Sequence, residues 1–167
     1  MKKVALVFAF GLIIYSHIYA QTRPIMGYDQ VEWGVSVEDV RRIYNIGNEI
    51  LLLESADNPG RIFRLIEENV SDSIRERHFM FLDEKLYRVT VIYRNTSDTV
   101  RNDLRNILTN RFGNQTGFNT VGNRISIEFG RYSPDLVVEL EYGPGVLWVT
   151  YTWKQLRDEF QASRLGL

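Results

Sequence analysis

The 167 residues include two histidines, His17 and His78, and no cysteine. Thiolate catalysis, disulfides and zinc–thiolate sites are therefore excluded. A Ser-His-Asp triad or a histidine metal site beyond the first twenty residues would have to be built on His78 alone. His78 has the strand parity of Glu76, Met80 and Leu82, which reads as a structural or surface position. Paired carboxylates are the remaining acid–base equipment: Glu67-Glu68, Asp83-Glu84, Glu139 with Glu141, and Asp158-Glu159. Neighbours on a strand point to opposite faces, and Asp83-Glu84 reads as a turn, so among the strand pairs only Glu139 and Glu141 share a face. Their expected company is arginine on adjacent strands rather than a glycosidase-type partner or calcium. No Gly-x-Ser-x-Gly, His-Glu-x-x-His or P-loop pattern occurs. The expectation is a protein that is not an enzyme and carries no cofactor or metal.

The residues that point to binding are Trp148 and the arginines. Past residue 20 there are 16 Arg against only Lys85 and Lys154, a bias toward planar, two-pronged pairing with carboxylates. If Tyr87, Val89, Ile125, Ile127, Val138 and Leu140 face helices, then Arg88, Ile92, Arg94, Arg124, Glu128, Glu139 and Glu141 face away from them. The stretch 146–153 is apolar on both parities, so it is either covered on both sides or shows an aromatic to solvent. The expected partner-binding set is Arg88, Arg94, Arg124, Glu139, Glu141 and Trp148, since Trp and Arg are the usual anchors of protein interfaces. The bland alternative is an amphipathic sheet face with a rim of ion pairs.

The elements that must position these residues are legible from caps and periodicity. Ser36 caps a helix in which Val37, Val40, Ile43 and Tyr44 share a face, with Val35 and Val40 as a staple and Gly47-Asn48 as the stop. Thr96-Ser97-Asp98 opens a longer helix carrying Val100, Leu104, Ile107, Leu108 and Phe112, and Gly113-Asn114 ends it. Extended segments are expected at 49–54, 61–70, 73–82 and 86–94, then in a meander over 125–129, 136–142 and 146–153. Turns fall at 57–60, 83–85, 132–135 and 143–145, and a closing helix follows at 154–165. The order implies an α+β fold: an antiparallel meander sheet of six or seven strands with two or three helices on one face. Two versions of one unit, 29–94 and 95–154, are a further reading of that order.

Composition bounds the rest. With 44% hydrophobic and 25% charged residues the chain suits one globular domain, 21–167. Residues 1–20 read as a secretory signal peptide: Lys2 and Lys3, an apolar run from Val4 to Tyr15, and a polar exit to Ala20. The rival is an uncleaved anchor, for which the run is short of the roughly 20 residues of a spanning helix. Cleavage near Ala20 leaves 18 basic against 21 acidic residues, a net charge of −3, which disfavours nucleic acid as a partner. The expected location is periplasmic or secreted, with membrane contact only through the signal segment if it stays.

The segment Trp33-Gly34-Val35-Ser36-Val37-Glu38-Asp39-Val40-Arg41-Arg42-Ile43-Tyr44 resembles the helix opening of small exported modules of the BamE/SmpA and β-lactamase-inhibitor-protein-like type. Arg111-Phe112-Gly113-Asn114 is similar to a helix end in the same group. The resemblance implies a helix lying on an antiparallel sheet and a role in binding envelope proteins, and it carries over no binding residue. The lipid-bearing Cys of the lipoprotein members is absent. The functional expectation is a non-catalytic, exported module that binds an envelope protein. The alternative is a binder of a small apolar or lipid ligand between helices and sheet.

Overall fold

The computed structural model describes residues 27–47, 49–53, 62–130 and 134–165. The expected signal segment, the turn at 57–60 and the first half of the turn at 132–135 lie outside them.

A hairpin of β1 (Gly27–Tyr28) and β2 (Val31–Glu32) precedes α1 (Val37–Tyr44). Then come β3 (Glu49–Leu53), β4 (Ile62–Glu68), β5 (Ile74–Leu82), β6 (Lys85–Tyr93) and α2 (Asp98–Phe112). The chain closes with β7 (Gln115–Val121), β8 (Arg124–Phe129), β9 (Leu136–Gly143), β10 (Val146–Trp153) and α3 (Lys154–Leu165). Strands β3 to β10 form one antiparallel sheet in the order β3-β4-β5-β6-β10-β9-β8-β7. The fold is thus α+β with a single large antiparallel sheet. Each half is a helix followed by a four-stranded meander, and the halves meet along their last strands, β6 and β10.

The sheet has eight strands, one beyond the expected range, because Gln115–Val121 pairs along β8. That stretch is polar and exposed, so it lacks the alternation that marks a half-buried strand. The helix starts behave as their caps dictate: the Ser36 hydroxyl accepts from the Asp39 N–H at 3.1 Å, and Ser97 accepts from Val100 at 3.4 Å. Helix α1 stops earlier than Gly47, at Asn45 in a left-handed conformation, with the Ile46 N–H returning to the Arg41 carbonyl at 3.1 Å. Between β5 and β6, Asp83 and Glu84 both take positive φ, the two-residue turn whose twist matches a hairpin.

One row of side chains runs across six strands by register: Leu65, Phe79, Val89, Tyr151, Val138 and Phe129. Helices α1 and α2 cover this inner face, with Tyr44 packed on Phe79 at 4.7 Å and Phe112 on Tyr151 at 5.9 Å between ring centres. The buried core contains Val40, Leu108, Phe112 and inward residues of β4, β5, β6, β8, β9 and β10. Ile107, expected on the buried stripe of α2, is 57% exposed, because that stripe is narrower than its apolar positions.

Two placements depart from the sequence reading. Helix α3 packs across β10, β6 and β5. On those strands and β9, Leu82, Tyr87, Val137 and Thr152 are buried yet stand outside the inner core, so α3 covers the outer face and not the one that holds α1 and α2. Tyr87 is the extra residue of a β-bulge between the pairs Met80–Arg88 and Phe81–Leu86; Leu86 takes the core position and Tyr87 sits outside that cluster.

Candidate binding surface

With α3 over one end of the outer face, the other end is open. Two adjacent rows present their side chains there. One runs Ile66, His78, Thr90, Thr150, Glu139 and Glu128; the next runs Glu76, Ile92, Trp148, Glu141, Ser126 and Asn119. Trp148 is half-buried between Ile92, which is buried, and Glu141. The Arg124 guanidinium lies 5.5 Å from the Trp148 ring centre and 3.4 Å from the Glu141 carboxylate. Arg124 therefore lies along the tryptophan with its side chain still 55% exposed, within reach of both the ring and the carboxylate.

Beside this cluster a depression of about 590 Å³ is lined by Asn119, Val121, Arg124, Ser126, Glu139 and Glu141. Glu139 lies directly across from Glu128, with Thr150 on its other side. Burial pushes the Glu139 carboxyl above its ordinary value, Glu128 and Glu141 add to this, and the pull of Arg88 and Arg157 only partly offsets it. Glu76, in the next row, is also lifted by burial, but its hydrogen bond to His78 at 2.7 Å and the charge of Arg75 win and lower it.

Of the expected site residues, Trp148, Arg124, Glu139 and Glu141 come together. Arg88 is on the same face near the α3 end, where its Nε donates to the Thr152 hydroxyl at 3.2 Å and its guanidinium stacks 5.3 Å from the Tyr87 ring centre. Arg94 does not join the cluster. It follows the end of β6 and donates to the Ser71 carbonyl at 3.2 Å and the Asn69 side chain at 2.8 Å, where it ties the β4–β5 turn to β6. Parity places a residue on a face but not along it, so it does not separate Arg94 from the others. Asn119 and Val121 were missed because β7 gives no periodic signal.

The inner face carries a second feature that the sequence reading did not locate. The β1–β2 hairpin, β5, β10 and the end of α2 border an open pocket of about 800 Å³ lined by Tyr28, Asp29, Arg77, Arg111, Phe112 and Tyr151, among others. Arg77 is saturated there: it holds Glu67 at 2.7 and 3.1 Å, Asp29 at 3.1 Å, and stacks 4.7 Å from the Tyr44 ring centre. Tyr44 donates its hydroxyl proton to Asp29 at 3.1 Å, and burial raises the Tyr28 phenol. Glu67 and Arg77 lie opposite each other by register, a pairing that only the fold of β4 against β5 reveals. Among the described residues no group of three His, Asp or Glu is placed to hold a metal ion, and no helix is long and apolar enough to cross a membrane. Compared with known proteins, the chain matches no family model, no curated protein and no solved structure.

Proposed function

We propose that this protein is an exported, non-catalytic module that binds another protein of the cell envelope through the open end of its outer sheet face. The observation that carries the reading is Trp148, half-exposed at the middle of that face with Arg124 lying along it and Ile92 buried at its side. A β surface with a central aromatic, an arginine beside it and a polar rim has the composition of a protein-binding patch. Glu76, Glu128, Glu139 and Glu141 outnumber Arg88 and Arg124 on it, so the complementary segment brings lysine or arginine beside an apolar side chain. The desolvated Glu139 favours such a cation, because a partner's positive charge would relieve what burial has raised. The resemblance of the Trp33–Tyr44 segment to exported envelope modules points the same way, as does the signal-like segment 1–20. The net acidic charge argues against nucleic acid.

The test is photo-cross-linking in the source cells from a reactive residue placed at Ser126, with Arg42 on α1 as the control position. One discrete adduct at 126, absent at 42 and lost when Trp148→Ala and Arg124→Glu are added, supports the reading. Equal labelling at both positions, or an adduct indifferent to those substitutions, overturns it.

The inner pocket favours a second reading, a small ligand held between helices and sheet. Its rings, with Arg111 at the rim and Arg77 and Asp29 in the wall, suit an amphipathic acid better than a purely apolar lipid. Native mass spectrometry of protein taken from its own host distinguishes this case by a retained small molecule.

A further inference from the structure

The eight-stranded sheet ends on β7, which pairs with β8 on one side only. Along its other side, backbone N–H and C=O groups point to solvent, a ready template for another strand. Natural edges are usually blunted by charge, proline or brevity. Here Gln115–Val121 is seven residues long and contains neither a charged residue nor a proline. The one irregularity, between Gln115 and Gly117, is confined to its start and leaves Gly117 to Val121 in regular register. Among the described residues the two most exposed large hydrophobics are Val121, at 71%, and Phe118, at 61%, and both lie on this strand. They lie on opposite faces, Phe118 level with Ile127 on the inner side and Val121 level with Arg124 on the outer. An apolar residue left open on each face of an unpaired edge is what a strand partner would cover.

We propose that β7 is a self-association edge, where two copies of the chain join antiparallel, β7 to β7, about a two-fold axis through Phe118. The strand is neutral, so no charge on it selects a charged peptide, and its own sequence is a complementary occupant. With Phe118 opposite Phe118 of the second copy, Gly117 meets Asn119 and Thr116 meets Thr120, with no like charges opposed. The rings meet on one face at cross-strand distance, where aromatic pairs are favourable. Gly117 carries no side chain to obstruct the approaching asparagine. The contact is one strand wide and falls below the roughly 1,200 Å² of a standard interface, so the dimer is weak and forms at micromolar to millimolar concentration.

Sedimentation velocity on the protein as its host produces it, from about 1 μM to 1 mM, reads the result. A concentration-dependent monomer–dimer equilibrium is expected. Phe118→Lys and Phe118→Glu each weaken it by at least about tenfold, because like charges then face each other across the axis. Mixing the two variants restores dimer, since lysine then faces glutamate, and circular dichroism confirms that each is folded. Trp148→Ala, on β10, leaves the equilibrium unchanged, which keeps this test separate from the outer-face reading. A monomer throughout the range, a dimer indifferent to residue 118, or no recovery on mixing overturns the proposal.

Discussion

Arg77 grips Glu67 with two hydrogen bonds, 2.7 Å from Nε and 3.1 Å from Nη2, while Nη1 reaches Asp29 at 3.1 Å. The pair joins neighbouring strands β4 and β5, and the contact to Asp29 fastens the β1–β2 hairpin to the sheet. The Arg77 side chain is only 13% exposed and Glu67 21%. Removing one partner strands the other charge in a poorly solvated place. Arg77→Met is expected to cost about 2 to 3 kcal/mol, below the loss of a fully buried partner. Denaturant unfolding measures the loss, and Arg77→Met with Glu67→Gln together should cost less than the sum of the two single changes.

Phe79 is fully buried between Leu65 and Val89 and meets the Tyr44 ring. Phe79→Ala leaves a cavity under α1 and is expected to cost about 3 to 5 kcal/mol. Phe79→Leu, which keeps most of the volume, should cost clearly less. Thermal unfolding of the two variants side by side checks the order.

Gly34 has φ of +83°, its N–H donates to the Leu86 carbonyl at 2.8 Å, and the Trp153 ring lies 3.4 Å from where a Cβ would stand. That loop sets the entry of α1 onto the sheet. Gly34→Ala places a side chain in the left-handed region and is expected to cost about 1 to 2 kcal/mol. Ser36→Ala, which removes the cap two residues later, should cost about 1 kcal/mol. A melting temperature lowered by both, and more by the first, is the expected result.

Two carboxylates on the outer face respond to pH with opposite sign. Glu139 has a folded value above 4.5, so its stability contribution is full below 4.5 and is lost as pH rises through the higher folded value. Glu139→Gln should therefore be more stable than the native protein at neutral pH, with the difference vanishing in acid. Glu76 has a folded value below 4.5, so its contribution is present above 4.5 and lost as pH falls through the folded value. Glu76→Gln should be less stable at neutral pH and converge with the native protein in acid. Denaturation midpoints of both variants across the acid range give the two slopes.

Local chemistry was readable in the chain wherever a few adjacent residues decide the outcome. Ser36 and Ser97 each accept one free N–H at the start of α1 and α2, from Asp39 and Val100, and Asp83-Glu84 turns β5 into β6 because the alternating residues on either side must pair. Val89, Val138 and Leu140 entered the core because parity and apolar character leave a half-buried strand no other choice. The same rule put Trp148, Arg124, Glu139 and Glu141 on the outer face. Only tertiary structure decided where along that face each residue stands, since parity carries no information about register between distant strands. It drew Arg94 away to the Asn69–Ser71 turn and turned Tyr87 out at a bulge. It also set α3 on the face opposite to α1 and α2, because a short amphipathic helix following β10 buries its apolar side equally well against either surface of the sheet. Strand β7 and the Arg77–Glu67–Asp29 network belong to this second class. Their energy comes from backbone pairing and charges brought together over long chain separations, which no local window of residues contains.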